Sequence, residues 1–145
     1  MIAGLSRDFP QLNRSTKPAS PATLTYNCIA WALGIDNRWW WPQNPDGYWP
    51  LTCPCEETIP AFQTMFKIFG YDPCKDGRLE SGYEKIALYA KGNKLTPTHA
   101  ARQLKNGHWT SKCGPNVDIE HALRELEGEK YGQVVMYFRR QQPNP

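Results

Sequence analysis

The sequence predicts an α+β fold: an N-terminal helix packed on a small antiparallel sheet, with two further helices. Three observations predict it. Two segments with helical character come early, three strand-like segments then follow one another through turn residues, and one more helical segment precedes a last strand. Helices set apart from consecutive strands indicate α+β rather than alternating βαβ units. The chain of 145 residues has room for one such domain. Its hydrophobic fraction of 40%, with six Trp, seven Tyr and five Phe, is enough to fill a core. We place the domain at residues 26–140, behind an extended arm over 1–25.

The arm is rich in Pro and Ser and has no helical period, with Phe9 and Leu12 as its apolar contacts. The first helix, about Asn27 to Leu33, has Thr25 or Asn27 as a cap, since a short side-chain oxygen can accept from the first turn. Gly34 stops it. Next, Arg38-Trp39-Trp40-Trp41-Pro42 and Asp46-Gly47-Tyr48-Trp49-Pro50 form an aromatic loop, because three adjacent Trp cannot share one face of a helix or strand. A second helix opens at Glu56-Glu57-Thr58-Ile59-Pro60 and carries Ile59, Phe62, Phe66 and Phe69 as an inward stripe until Gly70. The strands follow at Lys85–Ala90, Thr98–Leu104 and His108–Lys112, the last two joined by the hairpin signal Asn106-Gly107. Gly114-Pro115 ends the third strand. Asp118 then caps a helix carrying Ile119, Ala122, Leu123 and Leu126, and Tyr131–Phe138 is the last strand.

Several function classes are disfavoured. The net charge of +3 comes from Lys and Arg scattered along the chain, so no nucleic-acid footprint stands out. No apolar run reaches membrane-spanning length, and the N-terminus lacks a signal-peptide pattern. The expectation is a protein made in the cytoplasm, with export by a signal-independent route as the other option. Five cysteines at irregular spacing suit reduced thiols. Cys53, Cys55 and Cys74 lie in loops and lack the paired knuckles and fourth ligand of a zinc site. No metal or cofactor is expected.

The chemistry centres on Cys28. A thiol at a helix head sees the positive end of the dipole, which favours thiolate; the plain alternative is a small core residue. His99, at the start of a strand, is the candidate general base that would take the thiol proton. Ser111 or Thr110, on the neighbouring strand, would orient the ring, and the Cys28 backbone N–H with the Asn27 side chain would meet an oxyanion. Lys112 would bind a substrate carboxylate or pair with Glu120 or Asp118. His121 is a candidate second base or orienting group, and His108 sits in solvent beside the turn. Trp31, Trp39, Trp40, Trp41 and Trp49 are candidates for a substrate wall, weighed against covering the core.

The order of Cys at a helix start, His on a strand and a polar residue on the following strand resembles the papain-like superfamily. The similarity is greatest to its compact NlpC-type and CHAP-type amidases and peptidases, and Asn27-Cys28-x-x-Trp31-Ala32 resembles their nucleophile helices. That resemblance implies Cys28 as nucleophile and His99 as base and then acid. The third position departs from the pattern: Thr110, Ser111 and Lys112 stand where those enzymes carry His, Glu or Asn. The set NCIAWALG, WWWP, YWP, EKIALYA, THAARQL, WTSKCG and DIEH, over residues 23–140, also resembles an uncharacterised bacterial domain family, which implies no activity.

The expected function is therefore a cysteine hydrolase of an amide bond (peptidase, amidase or deamidase), acting on a protein or peptide, with neither nucleic acid nor membrane as partner. Acyl transfer to an amine is the same thioester chemistry with another acceptor. The competing reading is a non-catalytic interaction module (an adaptor, immunity or antidefence protein) that uses the Trp-rich loop. A third is a toxin-like effector that modifies a host protein with the same pair.

Overall fold

The structure, a computed structural model, describes residues 17–20 (backbone), 26–35, 37–45, 47–113 and 118–142. Of the arm expected over 1–25, only 17–20 fall among these. Phe9, Leu12, Thr25 and the Gly114-Pro115 stop lie outside the described residues.

The elements are β1 (Lys17–Ser20), α1 (Cys28–Ala32), α2 (Ile59–Ile68), β2 (Asp72–Cys74), β3 (Tyr83–Lys91), β4 (Thr96–Gln103), β5 (Trp109–Lys112), β6 (Asp118–His121), a 3-10 turn (Leu123–Leu126) and β7 (Gln133–Gln141). The fold is α+β. One sheet of seven strands runs in the order β1-β6-β5-β4-β3-β7-β2, and each pairing is antiparallel.

Side chains alternate between the two faces of a strand, and β3 shows both faces buried. Ile86 and Leu88 join Ile29, Phe62, Phe66, Ala100 and Phe138 in a core beneath α1 and α2. Ala87 and Tyr89 join Ala101, Trp109, Ile119, Leu126 and Tyr131 in a second core on the other face. The sheet is thus sandwiched between the helices and the segment that carries the 3-10 turn.

The helices form for the reasons the sequence offers. Asn27 caps α1 by accepting from the Ala30 N–H, and the chain leaves the helix through Gly34 at φ +78°. Thr58 caps α2 in the same way, Pro60 occupies its first turn, and Phe62 and Phe66 are fully buried.

Two expectations are corrected. Asp118-Ile119-Glu120-His121 is a strand, not the start of a helix. Its apolar residues match a helical spacing with those that follow, but ladder partners on both sides, β5 and β1, take its backbone groups. Only Leu123–Leu126 turns, and the Glu125 carboxylate accepts from the Ala122 N–H there. Cys74 belongs to edge strand β2 rather than to a loop, because Asp72, Pro73 and Cys74 pair with Arg139, Phe138 and Tyr137.

The contrast between two positions of α2 tests this packing. Phe66 lies with its ring 5.0 Å from Phe138 and 6.4 Å from Tyr71, whereas Ile68 is 52% exposed. Phe66→Ala is expected to cost about 3–5 kcal/mol in urea unfolding, and Ile68→Ala about 0.5 kcal/mol. Similar costs at both positions would contradict the burial pattern of α2.

Candidate functional site

Cys28 stands at the first position of α1, buried, in the core layer that also holds Ala100. The backbone N–H groups of Ala100, Ile29 and Cys28 itself turn toward its sulfur, and each favours negative charge there. Lys112 adds its field in the same sense. Burial opposes all of them and wins, so the thiol is pushed up to about 11.

Lys112 reaches this layer from β5. Thr110 and Lys112 project toward α1, while Trp109 and Ser111 project to the other face. Lys112 is fully buried, its ammonium lies 5.3 Å from the centre of the Tyr26 ring, and its register partner across the strands is Asp118. Burial lowers its pKa from the ordinary lysine value, against the Asp118 carboxylate, which raises it. Asp118 accepts from the Tyr26 hydroxyl through Oδ2 at 2.9 Å, and its Oδ1 is buried without a hydrogen-bond partner. Thiol, ammonium and carboxylate thus come from a helix head and from two adjacent strands. Of the two readings of Lys112, the structure favours pairing with Asp118; Glu120 pairs instead with His108, at 2.9 Å.

His99 is not the partner of Cys28. It sits opposite Tyr89 on β3, and its ring stacks on Tyr131 with centroids 4.0 Å apart and planes at 10°. Tyr89 and Tyr131 belong to the second core, so the imidazole faces away from the layer of Ala100. Both ring nitrogens are buried without hydrogen-bond partners. The alternation of β4 is the reason: in Thr98-His99-Ala100, the small Ala100 faces α1. Ser111 does not orient His99 either. Its hydroxyl lies 2.7 Å from His121 Nε2, whose Nδ1 is 2.8 Å from the Ala122 carbonyl. His121 is therefore a buried strand residue on the His99 side, rather than a helix residue reaching toward Cys28.

The remaining candidates have structural duties. Asn27 Nδ2 donates to the Trp40 carbonyl and its Oδ1 accepts from the Trp40 N–H, so the side chain ties the aromatic loop to the helix head. Thr110 accepts from the Trp31 indole at 3.0 Å. Trp40 is buried against Phe69, and Trp41 and Trp49 rest on Phe62. These rings cover α2 and pack in the core that also holds Cys28. Trp39 is half-buried and accepts from the Tyr48 N–H through its carbonyl. Trp31 stacks on Tyr26 at 5.6 Å, in the core that also holds Cys28. Tyr26 and Asp118 were missed as site residues; the signal for Asp118 was the four-residue alternation of DIEH, paired with WTSK. The five cysteines are free thiols. Among the described residues, no group of three or more His, Cys, Asp or Glu side chains is arranged to hold a metal ion.

The buried histidines carry a pH dependence. Burial pushes His121 from the ordinary 6.5 down to about 4 and drives His99 well down too, with the neighbouring His121 adding to the effect. The folded state refuses protons that the unfolded chain accepts. The stability this confers is whole above pH 6.5 and is lost as pH falls toward 4. His121 alone accounts for about 2 kcal/mol of the loss by pH 5. Urea unfolding at pH 7.5 and pH 5 is expected to show a smaller loss in His121→Gln than in the native sequence. Equal losses would mean that His121 takes up its proton in the folded state.

No helix among the described residues is long and apolar enough to cross a membrane. No curated protein and no solved structure matches this sequence. The family described as a domain of unknown function, DUF7689, matches residues 17–139. That span holds the strands of the sheet almost entire, together with Cys28, Lys112 and Asp118, and the chain belongs to this DUF7689 family.

Proposed function

We propose that the chain is a papain-like thiol hydrolase of amide bonds in which Lys112, rather than His99, serves as the base for Cys28. The observation that carries this reading is that three backbone N–H groups turn toward the Cys28 sulfur, with the fully buried Lys112 near enough for its charge to act on it. The order of groups also supports it, with a nucleophile at a helix head, a cation on a facing strand and a carboxylate on the next.

Burial moves both groups toward their uncharged forms. In the attack, the Lys112 amine takes the Cys28 proton while the sulfur bonds to the carbonyl carbon. The oxyanion is met by N–H groups that now face the sulfur. Collapse breaks the C–N bond, the leaving amine takes the proton back from Lys112, and a thioester remains. Water attacks that thioester, with Lys112 again as proton acceptor, and restores the thiol. Asp118 holds the ammonium in place throughout. A protein or peptide supplies the amide, and no cofactor enters the scheme.

A second reading, an interaction module built on the aromatic loop, is favoured by one observation: Leu51 is fully exposed and Tyr48 is 38% exposed beside the half-buried Trp41 and Trp49.

Iodoacetamide labelling resolved by cysteine, with folding checked by circular dichroism, separates the two. Lys112→Met, which keeps the volume of the side chain, is expected to slow alkylation of Cys28 about tenfold, the effect of one pKa unit. His99→Ala is expected to leave the rate within about twofold once the protein is folded. Slowing by His99→Ala and not by Lys112→Met would return the base to His99. Indifference of Cys28 to both would leave the interaction module.

A further inference from the structure

A second site lies at the opposite end of α1 from Cys28. Beyond Gly34, the helix-side face of the sheet is uncovered and forms a cleft of about 600 Å3. Its lining takes Arg102 from β4, Glu84 from β3 and Arg140, the register partner of Glu84, from β7, and the exposed Lys105 lies beyond the end of β4. Three cations therefore face one carboxylate, and that carboxylate is already engaged. Arg140 Nε donates to Glu84 at 2.7 Å and its Nη1 to the Phe69 carbonyl at 3.0 Å. The Tyr71 hydroxyl also donates to Glu84, at 3.3 Å.

Arg102 is left over. Its guanidinium lies 5.1 Å from the centre of the Trp31 ring, a cation–π contact that supplies it with no hydrogen-bond acceptor. Its Nε is buried without a hydrogen-bond acceptor, and no carboxylate pairs with it among the described residues. The carbonyl end of α1 favours a cation nearby, but that attraction does not supply the acceptor that a buried N–H requires. A guanidinium without an acidic partner, beside two further cations, suits an oxyanion, which it can meet with charge-assisted hydrogen bonds.

We propose that this cleft binds the dianionic phosphate of a phosphomonoester, with Arg102 as its anchor. The surplus of two positive charges among the described lining residues matches that dianion. Lys105 closes on it from beyond the end of β4, and Gln103 does not compete, because its amide already donates to the Gly77 carbonyl at 2.8 Å. The site is independent of the chemistry at Cys28.

The test is thermal unfolding of the full chain with inorganic phosphate or glycerol 3-phosphate, at an ionic strength held constant with sodium chloride. The expected result is a saturable rise in Tm of about 4 °C at ten times the Kd. Arg102→Met, which keeps an apolar stem on Trp31, is expected to abolish the rise. Lys105→Met, at an exposed position where folding is not at risk, is expected to weaken the phosphate affinity about tenfold. A rise that sodium chloride alone reproduces overturns the proposal, as does one that Lys105→Met leaves unchanged. An equal rise with succinate overturns the assignment to phosphate.

Discussion

The two-residue alternation of β4, β5 and β6 is the constraint on which the interior chemistry depends. Each strand is covered on both faces, so each polar residue must find its partners on the side where the pleat puts it. The side toward α1 receives Thr110, Lys112 and Asp118. The other receives His99, Ser111 and His121. A shift of one residue in β5 would exchange Ser111 and Lys112, and the sulfur would then face a hydroxyl instead of an ammonium.

The two faces answer the cost of burying polar groups differently. On the α1 side, charge is set against charge: Lys112 against Asp118, with the Tyr26 ring and hydroxyl completing the shell. On the far side, neutrality is maintained. His121 is held between Ser111 and a carbonyl, and His99 is an aromatic ring stacked on Tyr131 and edge-on to Tyr89. Burial that keeps the imidazoles uncharged also raises the Cys28 thiol and lowers the Lys112 ammonium. One physical cause, desolvation, therefore governs four titrating groups with opposite consequences for acids and bases.

α1 is short, and it is tied to distant segments at both ends. Asn27 binds the backbone of the aromatic loop at the head of the helix, and Arg102 lies on Trp31 near its tail. A helix of five residues has little stability of its own. Its orientation, and so the position of the sulfur, is set by these ties and by the apolar layer beneath it. The tryptophan loop has a structural duty here, since Trp40 joins the helix head to α2 through Phe69.

The sequence by itself determined the α+β class, both helices, the hairpin at Asn106-Gly107 and the central strands, because these rest on local periodicity and turn chemistry. It also pointed to Cys28, by its position at a capped helix head. Only the tertiary structure decided that DIEH is a strand, since four residues fit either period and partners on both sides supply the backbone bonds. Only the tertiary structure decided that Lys112 acts on the sulfur, with Asp118 across from it, while His99 and Ser111 turn away. A one-residue difference in register reverses that outcome, and the register is set by which side chains the two cores can accept.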